Sequence, residues 1–156
     1  MKTLDLTTVE ATECLGASLA RHVPDQPVVV YLEGELGAGK TTLARAFLRA
    51  LGVKGSVRSP TYTLVERYDT PLGEVAHLDL YRIADPEELE YLALDELAAQ
   101  ARVWLIEWPR RGRGQLPAAD LELRLQVVGT ARRAQLIAAT PAGQDWISAA
   151  LDAGSG

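Results

Sequence analysis

One cysteine, Cys14, is all this chain of 156 residues contains. It cannot form an internal disulfide, which fits a reducing compartment such as the cytoplasm. No apolar run approaches the roughly 18 residues of a membrane span. The first residues lack the apolar core typical of a signal peptide. The expectation is a cytoplasmic protein with no membrane partner. No surplus of positive charge exists either: the formal net charge is −5, which argues against nucleic-acid binding by the whole surface. There is no internal repeat and no linker long enough to divide the chain. The expectation is one domain over residues 1–156, with the last few residues frayed.

What is present is an alternation of strand and helix signals. Thr7-Thr-Val-Glu10 reads as a capping box. Ala11, Cys14, Leu15, Ser18 and Leu19 follow at helical spacing, with Cys14 as a small core hydrophobe on that stripe. Val28-Val-Val-Tyr-Leu32 is a continuous apolar run, the mark of a strand buried on both faces of a parallel sheet. A helix over 41–51 stops at Gly52. Residues 61–68 and 75–80 read as strands joined through Pro71 and Gly73, a hairpin. Asp85-Pro86-Glu-Glu88 opens a helix running to about Gln100. Val103-Trp-Leu-Ile106 is a second buried strand, ending in Glu107. Residues 121–127 alternate, as do 132–138 beyond Gly129 and Thr130, giving a C-terminal hairpin. A short final helix is expected over 145–151.

Between the first buried strand and the helix after it lies "GELGAGKT", Gly34 to Thr41. It fits the pattern G-x-x-x-x-G-K-[ST] at every position. Backbone N–H groups of Glu35, Leu36, Gly37, Ala38 and Gly39 would turn toward phosphates, at the positive end of the helix carrying Thr42. Lys40 would reach the β- and γ-phosphates, and the Thr41 hydroxyl would meet Mg²⁺. Such chemistry also needs a carboxylate at the end of a neighbouring strand. Two qualify, Asp79 and Glu107, and Glu107 follows the cleaner strand. His77, two residues before Asp79, points to the same strand face. Ser59, Pro60 and Thr61 stand where a switch-like segment senses the γ-phosphate. Arg110, Arg111 and Arg113 form a basic loop beside Trp108, open to acids, phosphates or solvent. Alternation puts one of Arg132 and Arg133 inward.

"GELGAGKTT", "SPTYTLVERY", "HLDLYRIADPEELE" and "LIEWPRRG" resemble, in order and spacing, the TsaE (YjeE) family of bacterial ATPases in tRNA threonylcarbamoyladenosine synthesis. The resemblance runs over residues ~5 to 140 and implies a P-loop NTPase-type α/β fold. That is a mainly parallel sheet flanked by helices, with antiparallel hairpin additions. It implies ATP and Mg²⁺ as cofactors, and TsaB and TsaD as protein partners. TsaD transfers the threonylcarbamoyl group to adenosine 37 of tRNA. Contact of the tRNA with this chain would be indirect or is unassigned. By the family's motifs, Lys40 and Thr41 are the phosphate and Mg²⁺ contacts, and Glu107 is the metal-associated acid. Asp79 lies close to the metal within a His-x-Asp-x-Tyr-Arg signature. Arg132, with Thr8 or Val9, corresponds to nucleotide contacts outside the motifs. Glu107 or Asp79 would orient the attacking water. ATPase activity would be weak alone and raised by the partners. The alternatives are a small-molecule kinase of the P-loop class, with the arginine loop as its lid, and an interaction module that nucleotide merely stabilises. A GTPase is disfavoured by the lack of an N-K-x-D segment.

Overall fold

The computed structural model describes every residue except Ser56, Arg58, Ser59, Thr61, Tyr62, Ala93, Ser155 and Gly156, and describes Tyr91, Ala153 and Gly154 by their backbone alone. The switch-like positions Ser59 and Thr61 therefore lie outside the described residues. Pro60 between them is buried, and its carbonyl accepts the Leu64 N–H at 2.8 Å.

Among the described residues, seven strands form one sheet. In chain order they are β1 (Lys2–Leu6), β2 (Val28–Glu33), β3 (Val65–Thr70), β4 (Gly73–Asp79), β5 (Ala101–Glu107), β6 (Leu121–Val128) and β7 (Ala131–Ala138). Their order across the sheet is β1-β7-β6-β2-β5-β4-β3. The centre, β6-β2-β5-β4, is parallel. The flanks are antiparallel: hairpins β3-β4 and β6-β7, and β1 against β7. The expected parallel character is thus confined to the centre of a mixed α/β sheet. The apolar runs of β2 and β5 are that centre, with helices above and below excluding water from both faces.

Helices α1 (Val9–Arg21), α2 (Lys40–Ala50) and α4 (Pro141–Gly154) belong to one side. Leu15, Leu19, Leu43, Phe47, Trp146 and Ile147 pack there on Val28, Val30, Leu105, Leu123 and Leu136. Helix α3 (Leu94–Gln100) belongs to the other, where Leu97 joins Ala76, Leu78, Trp104 and Ile106. The single helix expected over 86–100 is instead a 3₁₀ segment, Pro86–Leu92, before α3. Its start is the predicted one. The Asp85 carboxylate accepts the Glu87 N–H, and the Glu88 carboxylate accepts those of Ala84 and Asp85.

Two readings at the N-terminus are corrected. The cap of α1 is Thr8, whose hydroxyl accepts the Ala11 N–H at 3.1 Å, and not Thr7. Cys14 is exposed rather than core. The buried face of α1 consists of Thr12, Leu15, Gly16, Leu19 and Ala20, because α2 crosses there. A Cβ at Gly16 would lie 2.5 Å from the Leu43 carbonyl oxygen, so only glycine allows the helices so close. No helix among the described residues is long and apolar enough to cross a membrane.

Candidate functional site

The loop from Gly34 to Gly39 joins the carboxyl end of β2 to the first residue of α2. Gly39 caps α2 with φ +108°, a conformation strained for any residue with a side chain. Having no side chain, it gives no side-chain cap to the first amides of α2, which lack intrahelical partners, the local chemistry of an anion site. A cavity of about 340 Å³ opens over the loop, lined by Leu36 to Thr42, Asp79, Tyr81, Glu107 and Trp108. The segments at 34–41, 79–82 and 105–108, apart in sequence, converge because β4 and β5 are parallel neighbours. Asp79 lies beside Glu107 in their register.

Lys40 is buried. Its ammonium donates to the carbonyl oxygens of Gly34 and Glu35 and sits 4.3 Å from the centre of the Trp108 ring. Burial pushes its pKa below the ordinary lysine value, opposed by the charges of Glu107, Asp79 and Glu35. Glu107 is only 2% exposed. It accepts the Thr41 hydroxyl at 3.0 and 3.2 Å and faces the His77 Nε2 at 2.6 Å. Asp79 accepts the Tyr81 N–H at 3.1 Å. Trp108 takes a left-handed conformation, φ +58°, unusual for an aromatic residue. That turn brings its ring over Lys40 and 5.0 Å from the ring of Tyr81. The Arg111 guanidinium lies over the Tyr81 ring, 5.4 Å from its centre.

A second, smaller cleft of about 110 Å³ adjoins the loop, lined by Leu6, Thr8, Val9, Thr12, Gly37, Gly39, Thr42, Thr130 and Arg132. Gly37, Gly39 and Thr42 line both cavities. Arg132 is the inward arginine and donates to the Gly37 carbonyl at 3.1 Å. Arg133 faces away and pairs with Asp5 at 3.1 Å. Val9 is 63% exposed at the rim, a large apolar side chain offered to whatever occupies the cleft.

The sequence-predicted residues therefore fall into two adjoining groups. Lys40, Thr41, Asp79 and Glu107 meet at the larger cavity, and Thr8, Val9 and Arg132 meet Gly37 and Gly39 at the smaller. Glu35, Leu36, Ala38 and Thr42 are in the loop and the first turn of α2. The basic loop divides. Arg111 lies on Tyr81, whose ring meets Trp108 at a tilt, while Arg110, its side chain 77% exposed, reaches Glu33 at 3.7 Å outside the cavity. Leu6, Thr12 and Thr130 are lining residues that sequence reasoning missed. Leu6 belongs to a strand with no pattern of its own, and Thr12 reads as ordinary helix. His77 had a signal, its spacing from Asp79.

These features define an α/β protein whose site lies on a glycine-rich strand-to-helix loop, with paired acids on the adjacent strand ends. Residues 6–135 match the family described as threonylcarbamoyl adenosine biosynthesis protein TsaE. The tRNA threonylcarbamoyladenosine biosynthesis protein TsaE of Haemophilus influenzae is 46% identical over 125 residues, 80% of this chain and 79% of that protein. The Bacillus subtilis protein of the same name is 37% identical over 134 residues, 85% of this chain and 84% of that one. The crystal structure of Bacillus subtilis YdiB superimposes with a TM-score of 0.81 at 26% identity, covering 98% of this chain and 95% of that one. The chain belongs to the TsaE family, proteins of tRNA threonylcarbamoyladenosine biosynthesis.

Proposed function

We propose that this chain is the ATPase of its biosynthetic system. It would bind Mg²⁺-ATP over the glycine-rich loop and hydrolyse it to drive a conformational step in a TsaB–TsaD complex in the cytoplasm. One observation carries the reading: Lys40, Thr41 and the two strand-end acids converge on a single cavity at a helix start that no side chain caps. The loop amides and Lys40 bind the phosphates and stabilise charge on the transferring group. The Thr41 hydroxyl and the carboxylates of Glu107 and Asp79 are hard oxygen donors. They fit Mg²⁺, which takes one or two carboxylates and completes its shell with phosphate and water. Among the described residues no cluster of three or more His, Cys, Asp or Glu forms an all-protein metal cage. Bound there, Mg²⁺ would neutralise negative charge on the β- and γ-phosphates. Val9 and Arg132 in the smaller cleft would take the nucleoside end. Trp108 forms the wall of the cavity beside Lys40.

The test is ATP turnover by the chain alone, then with TsaB, TsaD and tRNA, for wild type and Lys40→Ala. The expected result is slow turnover alone, a rise with the partners, and loss in Lys40→Ala. Turnover surviving the substitution would overturn the mechanism.

A further inference from the structure

His77 is fully buried on β4, a strand whose other buried side chains are apolar except Asp79. Its Nε2 lies 2.6 Å from Glu107 Oε2, while its Nδ1 has no hydrogen-bond partner among the described residues. That asymmetry fixes the proton. A carboxylate only accepts, so Nε2 carries the hydrogen and donates it. A hydrogen on Nδ1 would be a buried donor with no acceptor, which is costlier than a bare lone pair. His77 is therefore held as one tautomer, aimed at one oxygen of one acid.

Glu107 in turn holds the Thr41 hydroxyl. Its carboxylate offers about four acceptor positions. Among the described residues its two protein donors come from β4 and α2, leaving the remaining lone pairs for the cavity. We infer that His77 is a positioning residue, which through its Nε2–H locks the Glu107 carboxylate in the orientation that holds Thr41 and faces the phosphate site. Fully buried and outside the cavity lining, it would touch neither nucleotide nor metal. This deepens the ATPase reading and rests on it. Supporting groups of this kind orient the ligating side chain, and their loss typically costs about 10- to 100-fold in activity or metal affinity.

Two measurements test it. The first is independent of turnover: imidazole nitrogen–proton correlation spectra of the nucleotide-free protein, with His22→Gln used to assign the two histidines. The expected spectrum has His77 protonated at Nε2 and bare at Nδ1. A proton on Nδ1, or rapid averaging between tautomers, overturns the inference. The second compares His77→Gln, whose amide reaches the place of Nε2, with His77→Asn, which stops short of Glu107, and with the apolar His77→Leu. The Gln variant should keep kcat within about 3-fold, while Asn and Leu lose about 10- to 100-fold in kcat with nearly unchanged KM for ATP. If Leu fails to fold, Gln against Asn still decides. Equal impairment of Gln and Asn, or no loss in either Asn or a folded Leu, sinks the inference. Absence of any wild-type turnover with the partner proteins would refute the ATPase reading instead, and the spectra would still judge His77.

Discussion

Gly16→Ala places one methyl group where α1 crosses α2. The new Cβ would stand 2.5 Å from the Leu43 carbonyl oxygen and 3.2 Å from the Ala46 Cβ. Ordinary contact needs about 3.5 Å, so the helices must separate by up to ~1 Å. The obstacle is main chain inside α2, which cannot swing aside as a flexible side chain would. Overpacking a core by a methyl costs typically about 1–3 kcal/mol, and a rigid neighbour puts this site at the upper end. Against it stands the helix preference for alanine over glycine, worth about 1 kcal/mol. The crowding wins, by a net ~1–2 kcal/mol. For a chain of this size each kcal/mol moves the melting temperature by about 2–4 °C, so a fall of roughly 2–8 °C is expected. Calorimetry without ligand measures it. A second effect belongs to the site: Thr8, Val9 and Thr12 ride on the N-terminal end of α1 and line the smaller cleft with Gly37 and Gly39. Pushing α1 outward widens that cleft, so the Kd for ATP by titration calorimetry should rise. A Gly16→Ala protein as stable as wild type, with unchanged affinity, would refute the packing argument.

Thr41→Val keeps the shape and branching of residue 41 and removes one of the two protein donors on Glu107. Losing a partner of a buried polar group costs about 1–3 kcal/mol, and the lower half applies because water can enter from the cavity. Chemical unfolding should show that loss, and the Mg²⁺ dependence of ATP binding should weaken with it. Trp146→Ala removes a fully buried ring stacked edge-on with Phe47 at 6.4 Å, whose indole N–H donates to the Leu19 carbonyl at 2.9 Å. A cost of about 3–5 kcal/mol is expected. It should lower the urea midpoint with no direct effect on the loop, since Trp146 lines neither cavity.

The strand-loop-helix unit at 28–50 was plain in the sequence because its signals are local: an unbroken apolar run, glycines, and a basic-hydroxyl pair at the helix start. The hairpins were legible for the same reason, since Pro71, Gly73 and Gly129 mark their turns. β1 was not. Lys2–Leu6 exposes most of its side chains and owes its existence to the hydrogen-bonding edge of β7, a partner that no local pattern announces. Cys14 was misplaced because hydrophobicity alone chose the face of α1. The true contact face uses Thr12 and Gly16, selected by how near α2 comes. At the site, residue types and spacing named Lys40, Thr41, Asp79 and Glu107. They could not give the link from His77 through Glu107 to Thr41, which depends on the register of β4 against β5 and the rotation of α2.

The order of strands across the sheet also sets an order in time. β2 is made early, yet its two neighbours are β5 and β6, and the first strand, β1, waits for the last, β7. A nascent chain emerging N-terminus first thus carries a naked apolar strand, and the glycine-rich loop that follows it, long before either flanking strand exists. Pairings so distant in sequence form slowly and leave edges open to wrong partners. The smaller cleft takes Leu6 from β1 and Arg132 from β7, so it takes shape only once β7 has been synthesised, after the walls of the larger cavity are made.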